Sequence, residues 1–174
     1  MFLSGQCLCP VSIGAARTRM AALVDDGWLG RASAAAYQEG ISRMLWARPP
    51  DGMPDVPRLA QAHFLDPVHR DAVTTMGMRW EAIGVTGELF PALDADITLT
   101  AEDGQHTRVT LTGVYRPSPG TLSGGLDRAL LHQAATATVG SLLTRMSGTL
   151  QGTTPAPSDP GTPEPSETRP ETAV

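Results

Sequence analysis

The sequence predicts an α+β domain, an antiparallel sheet packed on one long C-terminal helix. Two patterns and their order predict it. Between Val73 and Tyr115, apolar and polar residues alternate in three runs, the period of strands with one wet face. From Leu126 to Met146 the apolar residues instead fall three and four apart, the period of an amphipathic helix. Strands followed by a single closing helix form a layered pair, each element burying its apolar face on the other.

Leu8 to Ile13 is a short apolar run and reads as the first strand. Ala15 to Val24 holds good helix formers, and Asp25-Asp26-Gly27 ends it with a glycine suited to a C-terminal cap. Ser33 to Glu39 reads as a second short helix stopped by Gly40. Ser42 to Arg48 is the second strand candidate, Pro49 to Pro54 a loop, and Arg58 to Leu65 the third strand.

The fourth strand, Val73 to Ile83, sets Met76, Met78, Trp80 and Ala82 against Thr75, Gly77, Arg79 and Glu81. The fifth, Asp94 to Thr100, sets Ala95, Ile97 and Leu99 against acids and threonines. Glu102-Asp103-Gly104-Gln105 has hairpin chemistry, which makes the fifth and sixth strands neighbours and is expected to put Ile97 against Leu111 or an adjacent residue on the core side. The sixth, His106 to Tyr115, turns Val109, Leu111, Gly113 and Tyr115 to one side. Arg116 to Gly120 breaks it. Ser123 is a candidate N-cap, and the closing helix is expected to run to Ser147 with Gly148 as its end. Six strands are counted.

Residues 151–174 hold six prolines among threonine, serine and glutamate. Such a segment has too little to bury to offset its ordering entropy and is expected to be disordered. That leaves residues 1–150 as one domain. All 13 cations are arginine, and lysine and asparagine are absent, the mark of a GC-rich genome. The net charge of −5 and the scattered arginines offer no basic patch for nucleic acid. No segment is apolar enough to span a membrane, no signal peptide is evident, and a cytoplasmic location is expected. Cys7 and Cys9 share one side of a strand; i, i+2 thiols rarely have disulfide geometry, and with no second pair for zinc they read as free thiols.

The chain resembles a known superfamily in Met78-Arg79-Trp80-Glu81-Ala82, in Leu89-Phe90-Pro91-Ala92-Leu93-Asp94-Ala95-Asp96-Ile97, and in Tyr115-Arg116-Pro117 leading into Leu126-Asp127-Arg128. With the order β-α-α-β(n)-α, these resemble the START-like helix-grip (SRPBCC) superfamily, the polyketide cyclase/dehydrase and lipid-transport group. The likeness is to small high-GC bacterial members and covers roughly residues 8–148. It implies a curved sheet of about seven strands gripping the last helix, with an apolar cavity between them. It implies binding of a hydrophobic small molecule, lipid or polyketide-like, with no cofactor. A minority of such proteins are cyclases.

Met76, Met78, Trp80, Ile97, Leu111 and Tyr115 would face the closing helix, as packed core or as pocket wall. Leu130, Ala134 and Thr138 would meet them from the helix, where small residues bring the backbone close or leave a void. Tyr37 and Tyr115 each join an apolar ring to a polar tip that can orient a ligand. Arg116 would anchor a ligand's acid group at the cavity mouth or cap a carbonyl. A cyclase would draw on Tyr115, Arg116 or His132 for proton transfer. Arg79 with Glu81, and Asp94 with Asp96, read as a solvated face. His63, His69, Asp66 and Asp71 match no standard metal spacing. With no catalytic signature, the sequence favours a carrier or sensor over a cyclase/dehydratase or a filled-core interaction module. It leaves the ligand and the oligomeric state open.

Overall fold

The computed structural model describes residues 1–47, 60–82, 92–116 and 128–152. The element order is β1 (Phe2–Cys9), α1 (Ile13–Asp25), α2 (Trp28–Ala47), β2 (Ala60–Phe64), β3 (Val68–Arg70), β4 (Val73–Ala82), β5 (Ala92–Ala101), β6 (Thr107–Arg116) and α3 (Arg128–Gln151). The six strands form one antiparallel sheet in the order β1-β6-β5-β4-β2, with β3 also paired to β4. The sheet is curved and unclosed, and the three helices cover its inner face.

The alternating runs form the strands expected of them. Met76, Met78 and Trp80 of β4, Ile97 and Leu99 of β5, and Val109, Leu111 and Tyr115 of β6 are all buried on the inner side. Ile97 and Leu111 are direct cross-strand partners. The β5–β6 turn is held by the Asp103 carboxylate, which accepts from the backbone N–H groups of Gln105 and His106 at 2.7 Å each. This Asx-type closure is the chemistry that favours aspartate in tight turns. At the start of β4, at the same end of the sheet as this turn, Arg17 of α1 donates to the Asp71 carbonyl and to Thr74 Oγ1, both at 2.7 Å. It fixes α1 to the β3–β4 turn, where Asp71 takes a φ of 47°.

The first third departs from the sequence expectation. The first strand covers Phe2–Cys9 rather than Leu8 to Ile13, since Ile13 already opens α1 behind the Ser12 cap. Ser42 to Arg48 is not a strand: through Ala47 it continues α2, a helix of 20 residues. An apolar run of this length does not separate strand from helix by its period. Gly40, read as a helix stop, lies mid-helix and buried, where α2 crosses α3. α3 likewise passes Gly148 and ends at Gln151, with Gly152 at a φ of 77° as its C-terminal glycine. The expected helix start at Ser123 and the proline-rich segment from 153 onward lie outside the described residues.

α3 sits in the grip through Leu131, Ala134, Thr138, Leu142, Met146 and Leu150, all buried. β1 closes on it because Gly5 has no side chain. A Cβ there would come 2.8 Å from Leu143 Cδ1 and 2.9 Å from Val139 Cγ1. Cys7 and Cys9, both free thiols, face the same helix. Cys7 Sγ lies 3.7 Å from the Leu143 carbonyl oxygen and Cys9 Sγ 3.5 Å from Ser147 Oγ.

Candidate functional site

Below the middle of α3 the core is filled. Met76, Met78, Ile97 and Leu111 are 1–3% exposed or less and pack as core side chains. Near the N-terminal end of α3 it opens into an apolar cavity of about 40 Å³. Its lining converges from six elements: Leu3 of β1, Tyr37 of α2, Trp80 of β4, Leu93 of β5, Tyr115 of β6, and Leu131, Ala134, Ala135 and Thr138 of α3. Small residues on the helix keep the space open. Alanine at 134 and 135 leaves a gap that any longer side chain would fill, and the Thr138 hydroxyl turns back to the Ala134 carbonyl at 2.9 Å.

Three aromatic groups set the polarity of this space. Tyr115 is anchored: its hydroxyl donates to Met1 Sδ at 2.7 Å, and its backbone pairs with Met1. Tyr37 and Trp80 pack with ring centroids 5.7 Å apart at 56°. They are 6% and 2% exposed. Tyr37 OH and Trp80 Nε1 have no hydrogen-bond partner among the described residues. Burial pushes the Tyr37 phenol well above its ordinary range, so it keeps its proton.

Of the residues singled out in the sequence, Trp80, Tyr115, Ala134 and Thr138 come together around the cavity, joined by Tyr37. Met76, Met78, Ile97 and Leu111 lie in the filled core. The Leu130 side chain lies outside the described residues. Arg116 is on the outer face of the sheet, donating to Asp94 at 2.6 Å. Arg79 bridges Glu81 at 3.3 Å and Asp94 at 3.8 Å on that same face. His132 is exposed on α3, its ring 6.2 Å from that of Tyr115. Tyr115, Arg116 and His132 therefore do not converge in one space. His69 contacts Thr74 Oγ1 at 2.9 Å, and no group of three metal-ligating side chains occurs among the described residues. Leu3 and Leu93 were not singled out. The signal for both was the strand period, which continues back past Leu8 to Leu3 and past Asp94 to Leu93.

A larger depression of about 640 Å³ lies on the outer face, bordered by Phe2, Leu65, Val114, Arg79 and Asp94. Volume favours it, but it is open to solvent and rimmed by the Arg79–Asp94 ion pair. The inner cavity is the better binding site on geometry, since it is less open to solvent and its lining is mostly apolar.

A curved antiparallel sheet wrapped on a long C-terminal helix, with two helices after the first strand, recurs in solved structures. A conserved protein from Geobacillus kaustophilus aligns over 87% of this chain and 96% of its own, at a TM-score of 0.53 and 9% identity. The fold is the helix-grip fold. The Zhui aromatase/cyclase of a Streptomyces species aligns over 87% of this chain and 93% of its own, at a TM-score of 0.46 and 12% identity. Norcoclaurine synthase from Thalictrum flavum, in complex with dopamine and hydroxybenzaldehyde, aligns over 83% and 87%, at 0.39 and 13%. At these identities the likeness is one of fold. No protein-family model and no curated protein matches the sequence. No helix among the described residues is long and apolar enough to cross a membrane.

Proposed function

We propose that this helix-grip protein binds a hydrophobic small molecule between the sheet and α3, without catalysing a reaction on it. One observation carries the proposal: an apolar cavity at the point where six elements meet, left open by alanines on the helix. Unfilled apolar space in a core forfeits dispersion contacts and lowers stability. A ligand that fills it recovers both those contacts and its own burial, at about 25 cal/mol per Å².

The volume bounds the ligand. About 40 Å³ is well below the few hundred Å³ of a drug-sized site. It takes part of a ring or the end of an acyl or polyketide chain, and a larger group enters only as Leu3, Leu93 and Leu131 rearrange. That rearrangement costs free energy, so affinity for a simple probe is modest. The groups a cyclase would use do not meet in the cavity, which supports the carrier or sensor reading over an enzyme. The tight packing of Met76, Met78, Ile97 and Leu111 supports a second reading, a filled-core interaction module.

Toluene decides between them. With a carrier, an excess of toluene raises the melting temperature of the wild-type protein by a few degrees through mass action. Ala135→Leu, which extends a side chain into the cavity, abolishes the rise. If toluene leaves the wild-type melting temperature unchanged, the cavity does not bind and the filled-core reading stands.

A further inference from the structure

We infer that two copies of this chain associate through β1, whose free edge pairs antiparallel with the same edge of the partner around a two-fold axis at Gly5. β1 is a terminal strand of the sheet. The Met1 ammonium donates to the Tyr115 carbonyl at 2.8 Å, and the Tyr115 N–H donates to the Met1 carbonyl at 2.9 Å. From there the register with β6 runs to Cys9 one residue for one. In an antiparallel ladder, bonded residues alternate with residues whose N–H and C=O point the other way. Leu3, Gly5, Cys7 and Cys9 therefore bond to β6, while Phe2, Ser4, Gln6 and Leu8 turn their backbone groups to the open edge. Those groups have no partner among the described residues. An edge is ordinarily blunted by brevity, charge, proline or a bulge. β2, at the other end of the sheet, is five residues long. β1 is eight residues long, with no charged side chain, no proline and no bulge.

The pattern along the strand points to a second copy as the occupant. Phe2 and Leu8 are 66% and 51% exposed and stand equally far from Gly5 on either side. A two-fold axis at Gly5 sets Phe2 beside the partner's Leu8 and Ser4 beside the partner's Gln6. Apolar then meets apolar, polar meets polar, and every outward backbone group finds a partner. A strand with this symmetry is its own complement, as an isologous contact requires. α3 adds to the same side. Val139 and Leu143 of α3 face Gly5, while Ser141 and Arg145 meet Glu39 of α2. At about 100° per residue, the arc between these two sides, away from the core, carries Gln133, Thr136, Gly140 and Thr144. All four are exposed and none is charged, where a solvent-facing helix usually carries charge. This arc lies beside the free edge of β1, level with Gly5, so the same axis brings α3 against its own copy.

Sedimentation velocity of the full chain over a concentration series tests this without any ligand. The wild type is expected to pass from one chain mass to two as concentration rises. Ser4→Glu combined with Gln6→Glu sets like charges against each other across the axis and should weaken the dimer about tenfold or more. Ser4→Lys combined with Gln6→Glu sets opposite charges at the same places and should restore it. Ser4→Pro removes one outward N–H, which an edge strand tolerates within its own sheet, and should also weaken association. The substituted side chains are exposed, so circular dichroism should show each variant folded. The inference is overturned if the wild type stays monomeric up to about 0.1 mM. It is overturned equally if a dimer forms that neither the like-charged pair nor Ser4→Pro weakens, since another surface then makes the contact. Failure of the opposite-charged pair to restore what the like-charged pair removes would overturn the register at Gly5, and the inference with it.

Discussion

Gly40 of α2 lies against Thr138 of α3. A Cβ built on Gly40 would overlap Thr138 Oγ1 and come within 2.8 Å of the Ala134 carbonyl oxygen. The two helices thus meet backbone to side chain, and the crossing lies beside the cavity that Thr138, Ala134 and Tyr37 line. Glycine costs helix stability through its backbone freedom, roughly 1 kcal/mol relative to alanine. Here it is used because no other residue admits this approach.

Gly40→Ala should therefore destabilise the protein by about 1–3 kcal/mol, the usual range for overpacking, measured by urea denaturation. Gly140, in α3, has nothing within 4 Å of an added Cβ. Gly140→Ala should stabilise by about 0.5–1 kcal/mol through helix propensity. Equal effects at the two positions would refute the close crossing.

A second pair of glycines gives a ranking. An added Cβ at Gly5 meets Leu143 Cδ1 and Val139 Cγ1, the ends of side chains that can shift. At Gly113 it meets the Ala95 Cβ and the Asp94 carbonyl oxygen, both at 2.6 Å, and the strand cannot yield there without losing its ladder. Gly113→Ala should cost about 2 kcal/mol or more, and Gly5→Ala clearly less. A reversed order in denaturation midpoints would show that α3 is not seated on β1 as described.

The hairpin predicts a pH dependence of known sign. Hydrogen bonds from the Gln105 backbone, the His106 ring and the His106 backbone hold the Asp103 carboxyl below its ordinary range. Its folded value lies below the unfolded one of about 3.9, so its contribution is complete above that pH and is lost as pH falls through the folded value. The stability gap between wild type and Asp103→Ala should shrink as the pH falls below about 4. A gap that stays the same or widens between about pH 4 and 2 would mean that the carboxylate does not close the turn.

The alternating strands were legible because one wet face writes a period of two into the sequence, as in Met76-Gly77-Met78-Arg79-Trp80 and its partners Ile97 and Leu111. The hairpin was legible because Asp103-Gly104 is local chemistry. α2 was not. Its continuation through Gly40 is a tertiary effect, since the glycine is explained only by Thr138 on a helix about a hundred residues later. The site was half legible for the same reason. Trp80, Tyr115, Ala134 and Thr138 follow from facing periods. Tyr37 meets Trp80 only through the packing of α2 on the sheet, a tertiary contact that neither segment's period records. Where the core fills with methionine and where it opens depends on side-chain volumes at facing positions, which no single segment records.

Ala134 tests how much space the cavity holds. Against an empty pocket of several hundred Å³, Ala134→Trp would fold and simply fill it. The space is about 40 Å³, and the Ala134 backbone already abuts Gly40 across the α2–α3 crossing. An indole exceeds that room, so Ala134→Trp should overpack and destabilise by about 1–3 kcal/mol or more. Ala135→Leu needs less space, at a position only partly buried, and should cost less than about 1 kcal/mol. Thermal denaturation of the two variants checks this. A tryptophan variant as stable as the wild type would show that the cavity expands freely, and would admit a larger ligand than this conformation does.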